Sequence, residues 1–201
     1  NSILRLFRNY KGYYSWSSIR YFLYEYETYL MDNQANQKIY PEDIFKKDEK
    51  DKVSIEHIYP QTPTDEYWTS RFDTYTDEQK NCLTGSLGNL LPLSLSINIK
   101  LQNDSFDEKK KERYYKGSHC EIEVSHYEEW TPEAILEHGK KMLDFMANRW
   151  NFKFNNEYDK VKLLALDFME EEPVDYTAEI PRDENSENNT QRSSVITREM
   201  V

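Results

Sequence analysis

The sequence predicts a mostly helical α+β domain, and three features carry that prediction. Apolar side chains recur at Ile19, Phe22, Leu23, Tyr26, Tyr29 and Leu30, the spacing of one face of an amphipathic helix over residues 13–31. Thr131-Pro132-Glu133 joins a capping hydroxyl, a proline at the first helical position and a first-turn carboxylate. The helix it opens runs to about Trp150 and buries Ile135, Met142, Leu143 and Met146. Between these helices lie two short extended pieces. One is residues 52–59, with Val53, Ile55 and Ile58; the other is the apolar run Leu90-Leu91-Pro92-Leu93.

The remaining elements follow in order. Ser15 or Ser17 can cap the first helix. Residues 32–52 are polar and charged, contain Pro41, and read as a loop. Pro60 and Pro63 end the first strand. Residues 68–80 read as one helix with Trp68, Phe72 and Tyr75 inward, and Gly85 and Gly88 form a turn before the second strand. Ser96 or Asn98 starts a helix that continues in pieces to about Tyr115, and a last helix covers residues 156–169. The expected organisation is an N-terminal helical segment and loop (1–52), a central domain (53–150), a C-terminal helical piece (151–169) and an acidic tail (170–201) with little to bury.

A chain of 201 residues accommodates one domain, or one domain with an appendage. Aromatics make up 14%, enough to bury large rings although the mean hydropathy is only -0.95. The net charge of -11 argues against nucleic acid until its distribution is seen. Residues 167–201 hold ten acids and three bases, whereas the first 166 hold 23 bases and 27 acids. Lys100, Lys109, Lys110, Lys111, Arg113 and Lys116 form a basic cluster interleaved with acids, which is also what a solvated helix face looks like. No apolar run is long enough to span a membrane, and no secretory signal opens the chain. Cys82 and Cys120 are too few for a disulfide framework or a four-thiolate zinc site, so a reducing, cytoplasmic setting is expected. The start at Asn1, without methionine, points to a fragment of a longer protein.

Four pieces stand out chemically: Glu56-His57 followed by Ile58-Tyr59-Pro60-Gln61, Gly88-Asn89-Leu90, Asn98, and Phe106 with Lys109 beyond it. Each has an ordinary reading alone: a hydrogen-bonded pair, a turn residue, a helix cap, a core ring. Their joint order is what matters. Hydrolysis of a phosphodiester needs a base for the attacking water and a cation for the developing negative charge. An imidazole titrates near neutral pH, which suits His57 to the base. Glu56 and Asn98 offer the oxygen ligands a hard ion prefers. Asn89 is short and neutral, and its amide can bridge the two strands and orient the ring of His57. His119, beside Cys120, and His126 read as loop residues, and His138 as a partly buried or surface residue of its helix.

In this order the residues resemble the HNH nuclease motif. The fuller pattern IEHIYPQ…LGNLLPLSLSINIKLQNDSFDEKK, with YYSWSSIRYFLYEYE before it, resembles the C-terminal HNH domain (the DUF1524 family) of GmrSD-type modification-dependent restriction enzymes, over roughly residues 13–150. The resemblance implies a small ββα-metal (HNH/His-Me finger) unit flanked by helices. In it His57 is the catalytic base, Asn89 supports it, and Glu56 and Asn98 hold a divalent ion, Mg²⁺ first and Mn²⁺ as an alternative. The substrate implied is DNA, including modified phage DNA, cut in concert with an N-terminal ParB/sulfiredoxin-like nucleotide-hydrolysing domain. Lys100, Lys109, Lys110 and Arg113 follow the third motif position and are the expected DNA contacts; Lys109, so close behind Phe106, can instead pair within the domain. Two departures stand: Glu56 occupies a position where many relatives have Asp or His, and the two zinc-binding cysteine pairs of many HNH proteins are absent, leaving the aromatics to hold the core. The alternatives are a nucleic-acid-binding module that has lost cleavage, and a helical interaction module that docks a partner on the first helix.

Overall fold

A computed structural model describes residues 7–8, 11–33 and 53–173. The greater part of the loop expected at 32–52, and the tail beyond Pro173, lie outside the described residues.

Helix α1 spans Ile19–Asn33 and turns Ile19, Phe22, Leu23, Tyr26 and Leu30 inward, while Tyr29 stays half exposed. It starts later than the apolar spacing implies, because Gly12–Ser15 form a separate 3₁₀ turn that ends on extended Trp16. Gly12 has φ +41°, and a Cβ there would lie 2.1 Å from the carbonyl oxygen of Gly85. Only glycine lets the two backbones approach so closely.

Strand β1 (Val53–His57) pairs antiparallel with β2 (Leu90–Ser94), from Val53 opposite Ser94 to His57 opposite Leu90. Between them, the single helix expected over 68–80 is two, α2 (Glu66–Arg71) and α3 (Asp77–Gly85). Asp65 caps the first, and a reciprocal capping box between Thr76 and Gln79 starts the second. A 3₁₀ turn, Leu87–Asn89, leads into β2.

Helix α4 (Leu95–Leu101) follows β2 directly, and α5 (Phe106–Glu112) opens on a capping box between Ser105 and Glu108. The expected series of helical pieces thus ends at the turn Tyr114–Lys116. His119 and Cys120 do not lie in a loop. They begin helix α6 (His119–Ser125), opened by a third capping box between Ser118 and Glu121. Helix α7 (Pro132–Arg149) has the anticipated Thr131 cap, which accepts from the Ala134 N–H. Helix α8 (Glu157–Leu163) is shorter than expected, the chain reaching φ +61° at Ala165.

Trp68, Trp130, Tyr26, Tyr59, Tyr114, Phe22, Phe72 and Phe106 are all fully buried, so aromatic rings do fill the core. Tyr59 and Phe72 stack with centroids 3.8 Å apart. Helix α7 lies on the Leu87–Asn89 turn, where a Cβ on Gly88 would sit 2.1 Å from the Ile135 carbonyl oxygen. Glu170, at the start of the expected tail, pairs with Lys140 at 2.5 Å. Among the described residues, no helix is long and apolar enough to cross a membrane.

Candidate active site

His57 is the last residue of β1 and is 8% exposed. Its Nε2 is buried without a hydrogen-bond partner. Burial and the positive charge of Lys109 lower the imidazole to about 4, so the ring is neutral at neutral pH. His57 is one of the residues lining a cavity of about 380 Å³, with Glu56, Asn98, Tyr14, Gln61 and Asn103. Neighbouring strand residues project to opposite faces. Glu56 and His57 nevertheless both border this cavity, at the end of β1 where the chain bends through Ile58 and Tyr59.

Glu56 is buried, with Oε1 accepting from Lys109 Nζ at 2.5 Å. Burial raises its carboxyl, and the ammonium opposes that shift. Lys109 Nζ also donates to the carbonyls of Ile58 (3.1 Å) and His57 (3.4 Å). Asn98 stands on α4, and its Nδ2 donates to Ser54 Oγ at 2.8 Å and to the Ile55 carbonyl at 3.2 Å. These bonds fasten α4 to β1 through the amide nitrogen.

Asn89 is wholly buried. Its Oδ1 accepts from the Tyr59 N–H (2.7 Å) and from Trp130 Nε1 (3.1 Å), and its Nδ2 donates to the carbonyls of Tyr59 (2.9 Å) and Thr84 (3.0 Å). Its amide therefore ties the chain just after His57 to the α3 end, and all four of these bonds go to groups other than the imidazole.

The basic cluster divides. Lys109 is fully enclosed and Lys110 is 6% exposed, with Lys110 Nζ donating to the carbonyls of Glu128 (2.9 Å) and Tyr127 (3.4 Å). Neither presents its ammonium as a surface DNA contact would, because each fills an internal hydrogen-bonding niche. Arg113 pairs with buried Glu121 at 2.9 Å, and Lys100, on the surface, pairs with Glu112 at 2.9 Å.

His119 and His138 are structural, and His126 is an exposed residue that caps the end of α6. His119 Nδ1 lies 2.8 Å from Glu27 Oε1, and Glu27 also accepts from the backbone N–H of His119 (2.7 Å) and Cys120 (2.8 Å). His138 is 1% exposed rather than partly exposed; its Nδ1 donates to the Gly88 carbonyl at 2.7 Å. No group of three or more His, Cys, Asp or Glu able to hold a metal occurs among the described residues. Tyr14 and Asn103 escaped the sequence reading. Tyr14 comes from the turn before α1, its ring centroid 5.1 Å from that of His57, and Asn103 Oδ1 is buried without a partner. Neither carries a local signal, since both fall inside stretches that read as helical, 13–31 for Tyr14 and the pieces up to about Tyr115 for Asn103.

No curated protein and no solved structure matches this chain. The family model for the C-terminal domain of GmrSD restriction endonucleases matches residues 1–145, most of the chain, and the protein belongs to that family.

Proposed function

We propose that this member of a restriction-endonuclease family is a metal-dependent HNH-type DNA endonuclease domain that hydrolyses phosphodiester bonds. The observation that carries the reading is the neutral imidazole of His57, which lines a cavity shared with Glu56 and Asn98 and whose buried Nε2 has no partner. In this reading β1, β2 and α4 are the ββα unit.

The donor set suits a hard divalent ion that keeps most of its waters better than a tetrahedral nitrogen- and sulfur-ligated one. Glu56 and the Oδ1 of Asn98 would hold it, with Mg²⁺ or Mn²⁺ as the candidates. When bound, such an ion stabilises negative charge on the phosphoryl and leaving oxygens. The imidazole of His57 takes the proton of the attacking water. Asn89 keeps the backbone behind His57 in place, and Asn98 holds α4 against the strand. A role in phage defence, modified DNA as substrate and an N-terminal nucleotide-hydrolysing partner domain extend the same reading.

The Lys109–Glu56 pair favours a second reading, a nucleic-acid-binding module without cleavage, because an ammonium already neutralises the carboxylate. Plasmid nicking in Mg²⁺ or Mn²⁺ separates the two. Cleavage by the wild type that His57→Ala lowers about 10²–10⁴-fold, with the fold retained, supports the endonuclease. Undiminished nicking by the variant overturns the assignment of His57, and salt-sensitive binding without any cleavage favours the module.

A further inference from the structure

The cavity beside His57 is lined by an aromatic ring and by amide side chains. Tyr14 is 45% exposed, and its ring lies beside the imidazole with centroids 5.1 Å apart and planes tilted by 33°. Its placement is enforced from behind. Tyr13, its neighbour, is buried and donates its hydroxyl to the Leu163 carbonyl at 2.9 Å. Gly12, at φ +41°, seats the same turn on the backbone of Gly85. With Tyr13 fixed inward, Tyr14 is turned toward the cavity. The amide residues Asn98, Gln102 and Asn103 line the same cavity. Asn103 Oδ1 is buried and unpaired, and the residue before it, Gln102, has φ +24°, which non-glycine residues seldom adopt.

An aromatic face and amide groups in one cavity are the chemistry that receives a nucleobase: the ring stacks on its plane and an amide bonds its edge. In regular duplex both faces of a base are covered by its neighbours, so only an unstacked base can use such a cavity. Stacking also tolerates any base, since every base has a π-face.

We propose that Tyr14 is a nucleotide-stacking residue, which takes the base next to the scissile phosphate on its open face while Asn103 hydrogen-bonds the edge of that base. The cleft accordingly takes DNA that is unpaired at the cut in preference to regular duplex. This rests on the endonuclease reading and adds the substrate's form to it.

The test is fluorescence anisotropy with the full chain in EDTA, so that no strand is cut. The probes are a labelled duplex and the same duplex with a central unpaired stretch. Wild type, Tyr14→Phe and Tyr14→Ala are compared after circular dichroism and thermal melting show the same fold. Tighter binding of the unpaired probe by the wild type is expected. Tyr14→Ala should weaken that binding about 5- to 150-fold, the range of one lost base–aromatic stack. Tyr14→Phe should stay within about twofold of wild type, and duplex binding should change by less than about twofold in either variant. Equal losses on both probes, or no loss, overturn the stacking role. Reduced nicking by Tyr14→Ala with unchanged binding also overturns it, because Tyr14 would then act only through His57. If the wild type nicks plasmid DNA while stacking fails, the endonuclease reading survives alone; if it neither binds nor nicks, both fall.

Discussion

Lys109 Nζ and Glu56 Oε1 lie 2.5 Å apart with both side chains out of solvent, which joins α5 to β1 across 53 residues of sequence. This contact changes what the lysine does. Instead of meeting a phosphate, it neutralises an acid at the edge of the candidate site and satisfies two carbonyls of the chain that carries His57.

Removing one partner of a buried ion pair leaves the other charge uncompensated. Lys109→Ala should therefore destabilise the domain by about 3–5 kcal/mol, read by chemical denaturation. Lys109→Met with Glu56→Gln should recover part of that loss. A Lys109→Ala variant as stable as wild type contradicts the buried pair.

Asn89→Ala strands the Tyr59 N–H and the Trp130 indole N–H inside the protein. Each buried unsatisfied donor costs about 1–3 kcal/mol, so a clear fall in melting temperature is expected. Asn89→Asp keeps the acceptor, loses the two donations to the Tyr59 and Thr84 carbonyls, and buries a charge. It should not restore stability. If Asn89→Ala melts like wild type, the buried amide does not support the strand end.

The basic cluster yields a contrast between two lysines. Lys100 is on the surface, and Lys100→Ala should weaken DNA binding alike on different sequences and flatten its salt dependence by roughly one unit. Lys110→Ala should instead lower stability, because Lys110 serves the Tyr127 and Glu128 carbonyls. Titrations across salt concentrations, beside melting curves, check both. A salt-slope change from Lys110 and none from Lys100 would invert the placement.

Glu123 accepts from the Tyr26 hydroxyl at 2.8 and 3.0 Å, and His138 Nε2 lies 3.4 Å away. Burial raises this carboxyl, but the hydrogen bond and charge of His138 and the hydrogen bond from Tyr26 outweigh it, and the net shift is downward. A carboxylate held low stabilises the fold above its unfolded value and loses that contribution as pH falls through its lower folded value. Glu123→Gln should thus be less stable than wild type at neutral pH, with the gap narrowing in acid. Parallel denaturation curves from about pH 7 to 3 span the titration of an ordinary carboxylate; a constant gap excludes the linkage.

Much of the fold was legible because its causes are local. The apolar face of α1 shows in a spacing of three and four residues, and Thr131-Pro132-Glu133 marks the start of α7. The break between α2 and α3 and the start of α6 are also written locally, in Thr76…Gln79 and Ser118…Glu121. The motif residues could be named from sequence order alone. Their surroundings could not. A lysine in a run of charges reads as surface until a carboxylate 53 residues away draws it inside, as Glu56 does to Lys109, whereas Lys100 stays on the surface. His138 becomes buried because the Gly88 carbonyl is there to accept its proton. Tyr14 meets His57 from a turn that is seated where the backbones of Gly12 and Gly85 approach closely. The sequence by itself determined periodicity, caps and the order of the motif, since these act within a few residues. Tertiary structure alone decided which polar groups are buried and which side chains share the cavity, since a buried donor or charge is stable only beside a partner that folding brings from elsewhere in the chain.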